Sequence, residues 1–254
     1  MVQSQVSTVL VVGATGQTGR HVVAAAARQG FTVRALVRDA DRARAVLPDV
    51  EIVVADLTDA DTLTDAVVGV DAVIFTHGAN SYGDDEVFQR VDYGGVVNVL
   101  RALRRRPVRV ALMTSINVTR PDNGGYQGLL DWKRRSERLL RASKLPYTIV
   151  RPGWYQPRRG GGLLLRQGDT GSGSVSREQT ADVLVRSLLS DAAVGKTFEL
   201  FAVEGSTPVD WDTLFATTDP DTPDSLDAVH DRATLPLDRE PRLVTGDIEQ
   251  FDHR

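Results

Sequence analysis

The chain has 254 residues, of which 41% are hydrophobic and 25% charged, a globular balance that excludes wholesale disorder. It has no cysteine and only four histidines, so it offers no disulfide framework, no thiolate nucleophile and no expected metal site. No run approaches the roughly 18 apolar residues of a membrane span, and the first eight residues lack the basic and apolar regions of a signal peptide, so a cytoplasmic protein is expected.

Short apolar runs at 9–12, 32–37, 52–55, 72–76, 108–114 and 148–151 read as buried strands, rich in Val and Ile and bounded by Gly, Asp, Pro or Ser. Amphipathic segments at 17–29, 39–46, 59–67, 85–105 and 129–143 separate them. Continuous apolar strands alternating with helices predict a doubly wound parallel α/β sheet. A helix at 177–190, with Ser176 and Gln179 spaced for a capping box, precedes a seventh strand at 198–203. The glycine-rich stretch 157–174 is expected to be a flexible loop with an apolar patch at 163–165.

The net charge of −4 is uneven, since residues 204–254 hold 13 acids and 4 bases. The mildly basic remainder does not suggest nucleic acid and suits a small anionic ligand. The acidic segment from 208 onward is expected to be an appendage packed on or trailing from a domain spanning 1–207, its charge either solvated or docking a partner.

The strongest motif follows the first strand, where Gly13, Gly16 and Gly19 open a helix. The first glycine allows a tight turn, the second lets the backbone approach a pyrophosphate, and the third lets helix and strand pack closely. The helix N-terminus presents free N–H groups to phosphate. Thr15, Gln17 and Thr18 lie in the same loop. These features predict a bound dinucleotide.

The G-x-x-G-x-x-G spacing occurs with Ala55-Asp56-Leu57, Met113-Thr114-Ser115, Lys133 and the segment 145–153. With these residues the chain resembles the atypical short-chain dehydrogenase/reductase superfamily, in particular NmrA-like and flavin-reductase-like NAD(P)H-binding proteins. The resemblance covers residues 8–203. It implies a Rossmann fold, a nicotinamide cofactor and backbone contact of Pro152, Gly153 and Trp154 with the carboxamide.

Arg38, at the end of the second strand, stands where an acid would select NAD, which predicts NADP. Asp39 caps the next helix. Asp56 and Leu57 are placed to flank the adenine, and Thr76, His77 and Gly78 to lie near the adenosine ribose and phosphates.

Standard short-chain reductases carry a proton-donating Tyr four residues before the Lys. Here Leu129 precedes Lys133. Lys133 is expected to hold the ribose, the alternative being a surface pair with Glu137. Ser115 and Tyr155 are the substitute candidates for catalysis, with Tyr126 a further one in an expected loop. Hydride transfer to a flavin or quinone needs no protein acid, because solvent can protonate the delocalised anion that forms. Trp154, Arg158 and Arg159 are candidates to meet such an acceptor.

Two functions follow as expectations. One is an NADPH-dependent reductase acting on a flavin, quinone or small carbonyl. The other is a non-catalytic NADP(H) sensor working through a protein partner, for which the acidic tail is the docking feature. A monomer or weak homodimer fits either.

Overall fold

The computed structural model describes residues 6–47, 49–79, 81, 83–104, 106–157, 161–205 and 210–252. In chain order the elements are β1 (Thr8–Val12), α1 (Gly19–Arg28), β2 (Thr32–Val37), α2 (Ala40–Val46), β3 (Glu51–Val54) and β4 (Ala72–Phe75). Then come α3 (Asp85–Phe88), α4 (Gly94–Ala102), β5 (Arg109–Met113), α5 (Gln127–Ala142), β6 (Tyr147–Pro152) and β7 (Trp154–Tyr155). The last are β8 (Gly162–Arg166), β9 (Ser174–Val175), α6 (Arg177–Ser187), β10 (Lys196–Val203), α7 (Trp211–Ala216) and α8 (Arg242–Asp252).

Eight strands form one sheet in the order β3-β2-β1-β4-β5-β6-β10-β8, all parallel except β8. Alternation along each strand feeds two layers. Leu10, Val12, Val73, Phe75, Val110 and Leu112 face α4, α5 and α8. Val9, Val11, Val33, Ala35, Ile74 and Ala111 face α1, α2 and α6. The result is the predicted Rossmann sheet with helices on both sides. Ser176 and Gln179 form the predicted capping box of α6, and Asp39 caps α2 through Arg42 N–H at 3.0 Å.

Three expectations are corrected. Residues 60–67 form two 3-10 turns (Ala60–Leu63 and Asp65–Val67), not a helix. The hydroxyl of Thr62 donates to the Asp56 and Asp59 carbonyls, a local alternative to the α-helical ladder. The glycine-rich stretch is not simply a loop, because β8 pairs antiparallel with β10 and buries Leu165. Residues 158–160, including Arg158 and Arg159, lie outside the described residues. The predicted helix 85–105 is interrupted by a π-helical turn, Gln89–Tyr93, between α3 and α4.

The acidic C-terminal segment is packed, not solvated. Its carboxylates meet an arginine-rich face of α5. Asp227 accepts two guanidinium bonds from Arg138, each at 2.8 Å, and also pairs with Arg134, while Glu240 joins Arg135 (2.6 Å) and Arg138 (2.7 Å). Arg141 meets Asp221 at 3.3 Å. Arg151, fully buried on β6, is bonded at both ends, to Glu137 and to Asp231. No described helix is long and apolar enough to cross a membrane.

Candidate functional site

The glycine loop behaves as its three positions require. Gly13 adopts φ +81°, and a Cβ there would lie 2.7 Å from the His77 nitrogen at the end of β4. A Cβ on Gly19 would lie 2.0 Å from the Gly13 carbonyl oxygen, so only glycine lets α1 approach β1 this closely. At Gly16, by contrast, the single neighbour is that same oxygen, at 3.1 Å, and the residue is exposed. The loop therefore leaves open backbone where a phosphate group needs access, at the free N-terminus of α1. Thr15 is half-buried, Gln17 is exposed and Thr18 is buried.

Arg38 is exposed just past β2. The Asp56 carboxyl is held below its usual range, chiefly by hydrogen bonds from the Thr58 backbone and hydroxyl, with Arg38 and Arg90 adding to the effect. Leu57 is buried, and a Cβ on Gly95 of α4 would lie 2.6 Å from its side chain. The Leu57 side chain is thus part of the core, and only its backbone remains to flank an adenine.

At β4 the Thr76 hydroxyl donates to the Val12 carbonyl at 2.9 Å, joining the two strand ends behind the loop. Among the described residues, both ring nitrogens of His77 are buried without a hydrogen-bond partner. Burial lowers its pKa to about 4, against the opposing pull of Asp92, so the ring is neutral at physiological pH. Gly78 is exposed beside it.

Lys133 points from α5 to Asp92 of the π-turn, Nζ to Oδ1 at 2.8 Å. Glu137, its sequence-based alternative partner, is fully buried against Arg151 and the Thr114 hydroxyl. Asp92 is the residue that sequence reasoning missed. Its only signal was an acid between the apolar residues Val91 and Tyr93 of an amphipathic segment. Leu129, one turn before Lys133, packs on the apolar core.

Of the three catalytic candidates, Ser115, Lys133 and Tyr155, the last two stand on opposite sides of the sheet. Ser115 is half-buried just past β5, and among the described residues its hydroxyl has no hydrogen bond. The Tyr155 hydroxyl donates to the Met113 sulfur at 3.2 Å and faces Thr18 and Thr180, on the α1/α6 side of the sheet, whereas Lys133 stands on the α4/α5 side. Burial raises the Tyr155 pKa, which makes the phenol a weaker acid, and Arg177 stacks over its ring at 4.2 Å. Tyr126 is exposed in a 3-10 turn (Gly124–Tyr126) that runs directly into α5, rather than in an open loop.

The Gly153 and Trp154 N–H groups already bond the Leu200 and Gly173 carbonyls, at 3.0 and 2.9 Å. Neither is free to donate to a carboxamide, and Pro152 has no N–H. The Trp154 indole itself is 60% exposed. Among the described residues no group of three or more metal-ligating side chains is assembled.

Comparison with known proteins agrees with this geometry. A family model described as NAD(P)H-binding matches residues 13–191. An uncharacterised chloroplastic protein of Arabidopsis thaliana is 32% identical over 231 residues, covering 82% of this chain and 81% of its own. Sanguinarine reductase of Eschscholzia californica is 28% identical over 240 residues, covering 76% and 88%. Among solved structures, a Bacillus halodurans protein assigned to the NAD-dependent epimerase/dehydratases superposes with a TM-score of 0.72 at 25% identity, covering 84% of this chain and all of that one. With its glycine loop, its sheet order and most of its length accounted for in this way, the chain belongs to the NAD(P)H-binding family of atypical short-chain dehydrogenase/reductase proteins.

Proposed function

We propose that the protein is an NADPH-dependent reductase whose acceptor is a flavin, a quinone or a small reactive carbonyl. The observation that carries this reading is a glycine loop equipped to hold a dinucleotide together with a lysine that, among the described residues, is paired with Asp92 and has a leucine in place of the tyrosine one turn earlier. Leu129 occupies the position one turn before Lys133, and the Tyr155 hydroxyl is turned to the other face of the sheet.

A bound nicotinamide dinucleotide supplies a hydride. The residues of the chain bind and orient. Gly13, Gly16 and Gly19 hold the pyrophosphate against the N-terminus of α1. Arg38 meets the adenosine 2′-phosphate, and Lys133 the nicotinamide ribose. The Ser115 hydroxyl is free to hydrogen-bond an acceptor oxygen, and the exposed Trp154 indole offers a face for a planar ring. Acceptors whose reduced form is a delocalised anion take their proton from solvent, which suits a site without a placed acid. Resemblance to a relative named as a reductase supports the same class.

The sensor reading rests on an acidic segment free to dock a partner. Asp221, Asp227, Asp231, Glu240 and Asp247 of that segment are instead paired within the chain. No observation favours it further.

The test is NADPH oxidation followed by absorbance with FMN, a benzoquinone and a small aldehyde as acceptors, in the wild type and in Arg38→Ala. Saturable turnover with one acceptor is expected. Loss of one charge-assisted bond should weaken NADPH about ten- to hundredfold in Arg38→Ala and leave NADH nearly unchanged. Tight NADPH binding with no turnover on any acceptor would overturn the reductase reading, and equal losses for both cofactors would remove Arg38 from the site.

A further inference from the structure

We propose that Asp92 is a positioning residue of the cofactor site: the π-turn turns its carboxylate onto Lys133, and the resulting neutral pair presents the ammonium as a hydrogen-bond donor to the hydroxyls of the nicotinamide ribose. The proposal rests on the cofactor-binding role given to Lys133 above.

The π-turn Gln89–Tyr93 inserts one residue between α3 and α4 and leaves both Asp92 and Tyr93 buried. Turns of this kind are uncommon and concentrate at functional sites. Here the turn delivers a carboxylate that is 1% exposed to within 2.8 Å of a lysine that is 14% exposed. The carboxylate is fixed from a second direction, since the Ala79 N–H, just past β4, donates to Oδ2 at 3.0 Å. The Ser136 hydroxyl of α5 donates to the Asp92 carbonyl at 3.1 Å and ties the π-turn to the helix that carries Lys133. Three elements therefore converge on one ion pair at the carboxyl end of the sheet, where open α/β sheets hold their ligands.

The pair is reachable from Gly78. A Cβ there would stand 3.4 Å from the Asp92 oxygen and 3.7 Å from Nζ, so the absent side chain keeps the approach clear. An ammonium has three N–H donors, and among the described residues Lys133 uses one. Two remain for a ligand.

Charge decides what kind of ligand. A lone lysine would draw a phosphate or acidify a neighbouring phenol. Joined to Asp92, the lysine contributes a donor without net charge, and the neutral His77 beside it adds none. Vicinal hydroxyls, neutral and rich in acceptor lone pairs, match that environment. The arrangement also accounts for Leu129: with the lysine's charge already balanced, a phenol at that position would gain little acidity.

The experiment is a fluorescence titration of NADPH and, in parallel, of 2′,5′-ADP, which lacks the nicotinamide ribose. The proteins are wild type, Asp92→Asn, Lys133→Met and the double variant. Asp92→Asn should raise the Kd for NADPH about tenfold, the size of one charge-assisted bond, and leave that for 2′,5′-ADP within about twofold. Because Asp92 acts through Lys133, the double variant should bind NADPH no more weakly than Lys133→Met alone. Equal weakening of both ligands, unchanged NADPH affinity in Asp92→Asn, or a full further loss in the double variant would each overturn the proposal. Should either single variant fail to fold, the double variant leaves no buried charge unpaired and decides against wild type: NADPH should bind about tenfold or more weakly and 2′,5′-ADP within about twofold, and equal weakening of both ligands or unchanged NADPH affinity would overturn the proposal. A wild type that binds neither NADPH nor NADH would end the cofactor reading itself, before any variant is made.

Discussion

Glu199 shows how much one buried residue can weigh. It sits in mid-β10, its side chain is fully buried, and among the described residues neither carboxylate oxygen has a hydrogen-bond partner of good geometry. Its nearest cation is Arg151 at 3.9 Å, already bonded to Glu137 and Asp231. Burial, only partly opposed by Arg151, pushes its pKa up to about 7. A carboxyl whose folded pKa lies above its unfolded value of 4.5 favours the fold most when protonated, so this contribution is complete below about pH 4.5 and is lost as the pH rises to about 7. Glu199→Gln removes that loss. Its melting temperature should exceed the wild type's at pH 8, by the equivalent of up to about 3 kcal/mol, and the gap should close by pH 5. A gap independent of pH would show that the carboxylate is not the cause. Nothing in the sequence marked Glu199, because Phe198-Glu199-Leu200 in an apolar strand gives no indication of which acids surround it.

Elements differ in how plainly their residues announce them. The glycine loop was legible because each glycine meets a steric demand made within a few residues of chain. Two of the three demands are nevertheless of different kinds, and substitution separates them. Gly19→Ala drives a Cβ into the Gly13 carbonyl, backbone against backbone, and should unfold or strongly destabilise the protein. Gly16→Ala meets one oxygen at 3.1 Å and should cost about 1 kcal/mol or less in stability. Its methyl group would stand where the pyrophosphate approaches, so NADPH binding should fall about tenfold or more. Thermal melts and NADPH titration of both variants check this, and a Gly16→Ala protein that binds like wild type would place the pyrophosphate elsewhere. The element least legible was the π-turn, which differs from its flanking helices by one inserted residue and is set by packing against β4 and α5. β8 was also missed. Its three leucines sit between glycines, and only pairing with β10 turns them into a strand.

At the scale of the whole molecule the uneven charge becomes a structural device. The basic excess of the body and the acidic excess of the C-terminal segment meet on α5, where Arg134, Arg138 and Arg141 are almost wholly buried. Buried ion pairs contribute little net stability, but removing one partner leaves an uncompensated charge at about 3–5 kcal/mol each. Ending the chain at residue 208 would strip carboxylates from Arg101, Arg134, Arg135, Arg138, Arg141 and Arg151 together. That truncation should abolish cooperative thermal unfolding followed by circular dichroism. A shortened chain that still melted cooperatively within about 10 °C of the full one would show that the network is dispensable.

The sequence by itself determined the strand–helix alternation, the doubly wound sheet and the glycine loop, and with them the nicotinamide-binding family. These depend on local periodicity and on backbone sterics, which act between neighbours in the chain. Tertiary structure alone decided that Lys133 meets Asp92 and not Glu137, that Tyr155 turns away from it, and which buried arginines the acidic segment meets. Those outcomes depend on side-chain contacts, mostly ion pairs, between residues from about 40 to more than 100 positions apart. Such pairing follows no spacing rule, because partners are chosen by which helix face and which strand end the fold brings together.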